Sequence, residues 1–178
     1  MSTIAFVGLG NMGGPMAANL VKAGHRLIGF DLSQPAIAAA QARGIAVAVS
    51  AAEAVRRADA VGPMLPAGKH VVGATTGEGG LFAAANAGAL FIDSSTIDVA
   101  SARAFHAAAT AAGFASVDAP VSGSVGGAEA GTLTFMVGGS GAAFEAAKPY
   151  LDAMGKKIVH CGGAGAGQAA KICNNMIL

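Results

Sequence analysis

Lys171 and Asn175 are the residues in this chain of 178 residues whose types and spacing best suit acid–base chemistry. Lys171 is the one charged side chain between Ile158 and Leu178. Burial in such a segment would disfavour the ammonium and move the lysine pKa toward neutrality, as proton transfer requires. Asn175 follows one helical turn later on the same face, so the pair can remove a proton from a hydroxyl group while holding its oxygen.

Composition alone is equally consistent with a second interpretation of Lys171, in which its ammonium extends from an apolar helix to solvent. The spacing to Asn175 and the expected desolvation favour the acid–base role. Asn174 points about 100° away from Asn175 around a helix and is therefore the weaker candidate.

A glycine-rich turn suited to a dinucleotide lies near the other end of the chain, in the run Gly8-Leu9-Gly10-Asn11-Met12-Gly13. Gly8 permits a tight strand-to-helix turn, Gly10 lets the backbone approach a pyrophosphate, and Gly13 lets the helix pack closely on the strand. Residues 3–7 before the run are apolar and predict a buried strand, and the spacing after it predicts a helix. The N-terminus of that helix would offer unpaired N–H groups to phosphates.

Asp31 follows Gly10 by 21 positions and ends a second apolar run, residues 25–30. That offset is expected of an acid that binds the adenosine ribose hydroxyls. A lone glycine motif can be an ordinary turn, but strand, glycines, helix, second strand and acid in this order favour a nicotinamide or flavin dinucleotide site. The acid favours NAD over NADP, because a 2′-phosphate would meet a carboxylate.

Three further loops follow predicted strands, at the edge of a parallel sheet where ligands bind. They are Leu65-Pro66, Ser95-Thr96 and Ser122-Gly123. Each loop by itself also suits an ordinary turn, helix cap or connection. Their shared location favours a functional role, in which Ser122 and the N–H groups after it could hold a carboxylate or an alkoxide.

Short apolar strands and helices alternate along the chain, which predicts an α/β fold. We expect a Rossmann-like, doubly wound, mostly parallel sheet with helices on both faces. The predicted strands are residues 3–7, 25–30, 45–49, 58–64, 89–93, 114–117, 132–137 and 156–160. Residues 126–131 predict a mobile connection, and residues 162–167 a hinge before a helix from Gln168 to Leu178. That helix has an uncapped apolar end, which indicates that it is the start of a longer interdomain helix and that the chain is a piece of a longer one.

The composition argues against several classes of protein. A net charge of +1 with 12% charged residues provides no electrostatic footprint for nucleic acid. Mean hydropathy is +0.57, yet no stretch of about eighteen residues is free of charge, Gly or Pro, which argues against a membrane span. Four scattered histidines and two cysteines show neither metal-ligand spacing nor a disulfide framework. We therefore expect a soluble, cytoplasmic protein with no metal.

Six segments together resemble the β-hydroxyacid dehydrogenases, and within them the branch that oxidises 3-hydroxyisobutyrate. They are FVGLGNMG (6–13), MLP (64–66), DSSTID (93–98), DAPVSG (118–123), GTLTFMVGG (131–139) and GAGQAAKICNN (165–175). One residue departs from the family pattern, since Ser124 stands where members commonly carry a second glycine. A backbone N–H contact survives that change, whereas a dihedral open only to glycine would not.

The resemblance implies roles for individual residues. Lys171 would be the catalytic acid–base, Asn175 would orient the substrate, and Ser122 with Gly123 would bind the substrate carboxylate and hydroxyl. NAD would be bound by Gly8, Gly10, Asn11, Met12, Gly13, Asp31, Leu65, Pro66 and Thr96.

The implied reaction is the NAD-dependent oxidation of 3-hydroxyisobutyrate to methylmalonate semialdehyde, a step of valine degradation. Two alternatives stay open. The first is another activity of the family, such as tartronate-semialdehyde or succinic-semialdehyde reductase. The second is a non-catalytic dinucleotide-binding or scaffold module, against which an intact Lys171 and Asn175 argue.

The resemblance also implies two domains. Residues 1–162 would form the NAD-binding domain, and residues 163–178 the hinge and the first part of a helix leading into an all-α C-terminal domain absent from this chain. With that domain we expect a homo-oligomer. A molecule ending at Leu178 should bind NAD but turn over poorly, because its cleft stays open to water.

Overall fold

Strands and helices alternate in the computed structural model, which describes residues 1–177. The strands are β1 Thr3–Val7, β2 Arg26–Phe30, β3 Ala46–Val47, β4 Ala60–Pro63, β5 Leu90–Asp93, β6 Ala115–Asp118, β7 Val121–Ser122, β8 Leu133–Gly139 and β9 Gly155–Gly162. The helices are α1 Gly13–Lys22, α2 Gln34–Ala42, α3 Ala51–Val55, α4 Gly68–Thr76, α5 Leu81–Ala84, α6 Val99–Ala111, α7 Ser124–Ala130, α8 Gly141–Asp152 and α9 Ala166–Ile177.

All the described strands join one sheet in the order β3-β2-β1-β4-β5-β6-β8-β7, with β9 beside β8. The first six strands are parallel to one another. Beyond them β8 runs antiparallel to β6 and to β7, and β9 runs parallel to β8. The predicted Rossmann-like, mostly parallel sheet is confirmed. The strand order reverses between β1 and β4, and the crevice at such a reversal is where open α/β sheets bind ligands.

Apolar side chains fill both faces of the sheet, as the predicted double winding requires. Along β1, Ile4 and Phe6 belong to one buried cluster, which also holds side chains of α1 and α8. The alternate residues Ala5 and Val7 belong to the cluster on the other face, with side chains of α3, α4 and α6. This period of two is the geometry of a strand, so a strand covered on both faces must be apolar throughout.

The main difference from the predicted elements lies in residues 124–130, which form the helix α7 and not a mobile connection. The two glycines of this segment, Gly126 and Gly127, suggested a loop by local propensity. The helix is held by tertiary contacts, since Ala128 is fully buried and its carbonyl accepts a 2.7 Å hydrogen bond from the Asn19 side chain. Packing therefore outweighs propensity here.

Two smaller differences concern the ends of elements. The two-residue strand β7, Val121–Ser122, has no counterpart among the predicted strands. The helix α9 begins at Ala166, so part of the predicted hinge is helical, and Leu178 lies outside the described residues. Of the helices in residues 1–177, none combines the length and the apolar character that a bilayer crossing needs.

Candidate active site

The turn between β1 and α1 has the shape that its three glycines predicted. Gly8 has a φ of +96°, and a Cβ there would run into the backbone of Met64. A Cβ at Gly13 would overlap the carbonyl oxygen of Gly8, so α1 packs too closely on β1 for a side chain. A Cβ at Gly10, in contrast, would meet no protein atom within 4 Å. Gly10 therefore faces open space, as the approach of a ligand to the backbone would require.

The start of α1 presents hydrogen-bond donors to the same space. Asn11 is exposed, and Met12 is the N-cap residue of this ten-residue helix. Within residues 1–177 the backbone N–H groups of Gly10, Asn11 and Met12 have no hydrogen-bond acceptor. Unpaired N–H groups at the positive end of a helix dipole are the usual donors to a pyrophosphate. The turn thus fits the phosphates of a dinucleotide.

Asp31 lies beside this turn, after β2, and both of its carboxylate oxygens are engaged. Oδ2 accepts the N–H of Leu9 at 2.6 Å and Oδ1 accepts the N–H of Ser33 at 2.7 Å. The carboxylate lines a cleft of about 540 Å³ whose walls also include Gly8, Leu65 and Pro66. This volume is within the usual range for sites of small molecules and cofactors. The structure therefore gathers predicted cofactor residues from three separate loops around one cleft.

We expect an Asp31→Ala variant to shift cofactor preference toward NADP by about tenfold or more, because it removes a carboxylate that repels a 2′-phosphate. NAD binding should weaken at the same time, because Leu9 and Ser33 lose their acceptor. The measurement is the ratio of Kd values for NADH and NADPH. Asp59→Ala is the matched control, since its carboxylate accepts the Thr3 N–H at 2.8 Å at the opposite end of β1. Equal affinity for both cofactors in the unmodified protein would contradict this role of Asp31.

The loops after β4 and β5 are joined to each other at the same edge. The N–H of Leu65 donates to the Ser95 hydroxyl at 2.8 Å. Pro66 and Thr96, the predicted cofactor contacts in these loops, are both exposed. Because this hydrogen bond joins the two loops, Leu65 and Thr96 belong to one wall of the candidate site.

Ser122 and Gly123 lie at the junction where β7 leads into α7. Gly123 has a φ of +136°, and Ser124 after it has a φ of +58°. The backbone at Ser124 is therefore in the left-handed region that favours glycine, the residue that the resemblance noted above leads us to expect at this position. Serine can adopt this conformation at a cost of about 1 kcal/mol. The loop that contains Ser122 and Gly123 thus has a glycine-like shape with serine at position 124.

Lys171 lies in α9 with only 8% of its surface exposed. Burial lowers the pKa of its ammonium below the ordinary value, because an apolar environment disfavours the charged form. The interpretation of Lys171 as a side chain extended to solvent is therefore wrong for this structure. The expected desolvation is confirmed, and its direction is the one that a general base requires.

The two asparagines after Lys171 are placed differently from each other. The side-chain amide of Asn174 lies 3.5 Å from the hydroxyl of Ser122, whereas Asn175 is exposed. The buried arc of α9 passes through Gln168, Lys171 and then Asn174, which leaves Asn175 at the border of that arc. The prediction from sequence favoured Asn175 because it rested only on the four-residue spacing from Lys171. A substrate-binding role for Asn175 stays a prediction.

Sequence reasoning missed a buried polar network beneath this helix. Asp118, at the end of β6, accepts the N–H groups of Gly165 at 2.8 Å and Gln168 at 2.9 Å. His106 Nε2 lies 2.9 Å from the same carboxylate, and His106 Nδ1 lies 2.8 Å from the Ser116 hydroxyl. Asp118 thereby caps the N-terminus of α9 from a neighbouring element. An acid that ends a buried apolar strand was the available signal for this network.

Asp93 is paired with Asp118 between β5 and β6. Its buried carboxyl group is only partly hydrogen-bonded within the described residues. Its Oδ1 accepts the N–H of Ser95 at 3.0 Å, but Oδ2 has no hydrogen-bond partner within the described residues. Burial raises the pKa of Asp93 to about 7, and the hydrogen bonds from Ser95 only partly oppose this. Between pH 4 and 7 the native protein therefore keeps a proton that the unfolded chain has already lost.

We expect this difference in protonation to make the free energy of unfolding fall as pH rises, by about 2–3 kcal/mol between pH 5 and 8. Asp93→Asn should remove that part of the pH dependence, because the amide imitates the neutral acid. Denaturant unfolding of both proteins across this pH range measures the difference. Parallel curves for the two proteins would show that Asp93 ionises normally in the native state.

The described residues show no arrangement that suggests a metal site or a disulfide. Cys161 and Cys173 are both free thiols. No three side chains of His, Cys, Asp or Glu in residues 1–177 are grouped so that they could hold a metal ion.

Comparison with known families identifies the domain that carries this site. Residues 3–163 match the family model described as the NAD binding domain of 6-phosphogluconate dehydrogenase. The chain belongs to this family. The match includes the glycine turn, Asp31 and the loops at Leu65, Thr96 and Ser122, so NAD is the cofactor of this domain. The donors and the open space at Gly10 agree with that assignment.

Individual relatives resemble the whole of this NAD-binding chain. It is 56% identical over 178 residues to a protein of Mycobacterium tuberculosis named probable 3-hydroxyisobutyrate dehydrogenase, covering 100% of this chain and 60% of that protein. It is 53% identical, with the same coverage, to the NAD-dependent L-serine dehydrogenase of Pseudomonas aeruginosa. The chain thus spans 60% of the length of these curated relatives.

A solved structure confirms the fold. The chain superposes with a TM-score of 0.96 on a structure described as M. tuberculosis 3-hydroxyisobutyrate dehydrogenase with L-serine, at 56% identity. The superposition covers 99% of this chain and 60% of that one. The resemblance to this group of dehydrogenases is therefore confirmed, whereas the division into residues 1–162 and 163–178 stays a prediction.

Proposed function

We propose that this chain carries the NAD-binding and catalytic part of a dehydrogenase that oxidises 3-hydroxyisobutyrate to methylmalonate semialdehyde, with Lys171 as the acid–base. The observation that carries the proposal is the burial of Lys171 on the helix that adjoins the cofactor edge. Hydrogen bonds link residues along that edge, from Asp31 to Leu9, from Leu65 to Ser95, from Ser95 to Gln168, and from Asn174 to Ser122.

The residues of this chain divide the work of the reaction. NAD, when bound, would supply the acceptor for the hydride that leaves the carbinol carbon of the substrate. The neutral amine of Lys171 removes the proton from the substrate hydroxyl, so that the oxygen can become a carbonyl. Ser122 and Gly123, with the N–H groups that follow them, would hold the carboxylate. Asp31 would bind the ribose hydroxyls, and the N–H groups of Gly10, Asn11 and Met12 the pyrophosphate.

The names of the relatives indicate two candidate substrates. 3-Hydroxyisobutyrate and L-serine are both 3-hydroxypropanoates with a primary alcohol, and they differ only in the methyl or ammonium group carried by C2. Relatives carrying either name match this chain to within a few per cent of identity. Holding the carboxylate and activating the alcohol would serve both molecules. More of these relatives carry the name 3-hydroxyisobutyrate dehydrogenase than the name L-serine dehydrogenase, which favours 3-hydroxyisobutyrate.

The test is turnover by the full natural protein with NAD and four alcohols, namely 3-hydroxyisobutyrate, L-serine, glycerate and 4-hydroxybutyrate. We expect the highest kcat/KM with 3-hydroxyisobutyrate. Preference for L-serine would contradict the proposed substrate but keep the mechanism. Preference for glycerate or 4-hydroxybutyrate would favour the tartronate- or succinic-semialdehyde reductases. NADH binding without turnover of any of the four would favour a non-catalytic module.

Three further parts of the proposal do not depend on the geometry of the site. They are the place of the reaction in valine degradation, a cytoplasmic location, and assembly into a homo-oligomer through an all-α C-terminal domain. Each stays a prediction, and an intact mass with the oligomeric state of the natural protein tests the last of them.

A further inference from the structure

Gln168 is a fully buried polar residue at the beginning of α9, and it belongs to neither the cofactor nor the substrate residues described above. Its backbone N–H donates to Asp118 Oδ2 at 2.9 Å, and the N–H of Gly165 donates to Oδ1 of the same carboxylate at 2.8 Å. The backbone of Gln168 is therefore fixed to the end of β6. These backbone contacts set the position of Gln168 along the sheet edge independently of its side chain.

The carboxamide of Gln168 holds the loop after β5 on both sides of Thr96. Its Nε2 donates to the carbonyl of Ser95 at 2.7 Å, and its Oε1 accepts the N–H of Ile97 at 3.1 Å. A glutamine side chain is one of the few that can donate and accept in this way from a single planar group. Two backbone groups that are buried by this contact would be left without partners if the amide were removed.

This contact extends to a second cofactor loop. The hydroxyl of Ser95 accepts the N–H of Leu65, so the loop after β4 is joined to the loop that Gln168 holds. Lys171 follows Gln168 by three positions and lies on the same buried face of α9. One turn of helix therefore connects the residue that fixes Leu65 and Thr96 to the candidate acid–base.

We propose that Gln168 is a positioning residue that sets Lys171 relative to the cofactor wall formed by Leu65 and Thr96. This inference rests on the proposed function, because it assumes that Lys171 is the acid–base. Proton removal at the substrate hydroxyl and hydride departure from the carbon that carries it must both be possible in the same arrangement of lysine, substrate and cofactor. Displacement of a catalytic group by about 1 Å can lower a rate by about a hundredfold.

The experiment compares Gln168→Met with the unmodified full natural protein. Methionine keeps the approximate volume and loses both hydrogen bonds to the loop. We expect kcat to fall by about tenfold to a hundredfold, whereas Kd for NADH should change by less than about threefold because Asp31 and the glycine turn are intact. Amide hydrogen exchange at Ile97 should accelerate by about tenfold, since this N–H group loses its acceptor, the Gln168 side chain. That last readout does not depend on activity.

A control and a second variant keep the inference falsifiable. Thr75→Val removes a buried hydrogen bond of 2.8 Å to the Val71 carbonyl within α4, and it should leave kcat and the exchange of Ile97 unchanged. If Gln168→Met does not fold, Gln168→Glu retains the length and the acceptor for Ile97 but loses the donor to Ser95, and its kcat should still fall. Unchanged kcat in a folded variant at position 168, or an equal loss in Thr75→Val, would overturn the positioning role.

Failure of this inference can be told apart from failure of the proposed function. If Lys171→Ala retains full activity, the acid–base assignment is wrong and the positioning role is overturned with it. If Lys171→Ala is inactive while both variants at position 168 turn over at the unmodified rate, the proposed function stands and only the role of Gln168 is overturned.

Discussion

A Lys171→Ala variant of the full natural protein is expected to lose about 10²–10⁴-fold in kcat, the usual range for a positioned general acid or base. NADH binding should stay within about threefold of the unmodified value, because the glycine turn and Asp31 lie on other elements. The physical reason is the burial of the lysine. With 8% of its surface exposed, the amine has little access to bulk water that could replace it as a base.

The pH profile distinguishes a base from a merely structural cation. Burial lowers the pKa of Lys171, so a larger fraction of the amine is neutral near pH 8 than for an exposed lysine. In the oxidation direction, kcat/KM should therefore rise with pH and level off above the lowered pKa. In the reduction direction the protonated form is the required one, so the same titration should lower the rate as pH rises.

Two variants complete this test. Lys171→Arg keeps a cation that does not deprotonate, so it should be as inactive in oxidation as Lys171→Ala. Lys148→Ala removes an exposed lysine that pairs with Asp152 on α8, and it should behave as the unmodified protein. A flat pH profile, or full activity of either variant at position 171, would contradict the assignment of Lys171.

Gly10→Ala and Gly13→Ala are expected to show that two glycines of one turn have different roles. Gly10 serves cofactor binding, and Gly13 serves the stability of the fold. A Cβ at Gly10 meets no protein atom within 4 Å, so the variant should fold with an unfolding temperature within about 2 °C of the unmodified value. The methyl group would occupy the space through which the backbone approaches the pyrophosphate. We therefore expect Kd for NADH to rise by about tenfold or more.

Gly13→Ala, in contrast, should lower the stability of the fold. Its Cβ would overlap the carbonyl oxygen of Gly8 and lie 3.1 Å from the ring of Phe6, which is buried. Forcing a methyl group into such a contact costs about 1–3 kcal/mol or more. The variant should thus lose stability in denaturant unfolding before any effect on the cofactor is measured.

Gly141→Ala is the matched control for both variants, because a Cβ there also meets no protein atom within 4 Å but lies at the start of α8. It should change neither stability nor NADH affinity. Normal NADH affinity in Gly10→Ala would contradict the placement of the pyrophosphate at this turn. Normal stability in Gly13→Ala would contradict the close packing of α1 on β1.

Local patterns were sufficient for the parallel half of the fold. The alternation of buried strands such as residues 3–7 with helices predicted the sheet, and Asp31 after the second strand predicted the cofactor. The structure places Gly8, Asp31, Leu65 and Pro66 around one cleft because parallel strands end at one edge. The sign of the Lys171 pKa shift followed from composition, since a single charge among apolar neighbours is desolvated wherever the helix is buried.

Long-range contacts decided what local patterns could not. Residues 124–130 are helical because the Asn19 side chain and the core hold Ala128, over 109 positions in sequence. Asn174, and not Asn175, lies near Ser122, because the rotation of α9 is fixed by Asp118 and Gln168 beneath it. A helical repeat shows which residues share a face, but only the groups that cap and contact the helix determine where that face points.

The sequence by itself determined the class of the fold, the cofactor and the residue types available for catalysis. These depend on short-range features, namely apolar periodicity, glycine geometry and the identity of a few polar residues. The tertiary structure alone decided which polar groups meet, such as Gln168 with the backbone on both sides of Thr96. Those pairings join residues about seventy positions apart, and no spacing along the chain encodes a distance that is set by packing.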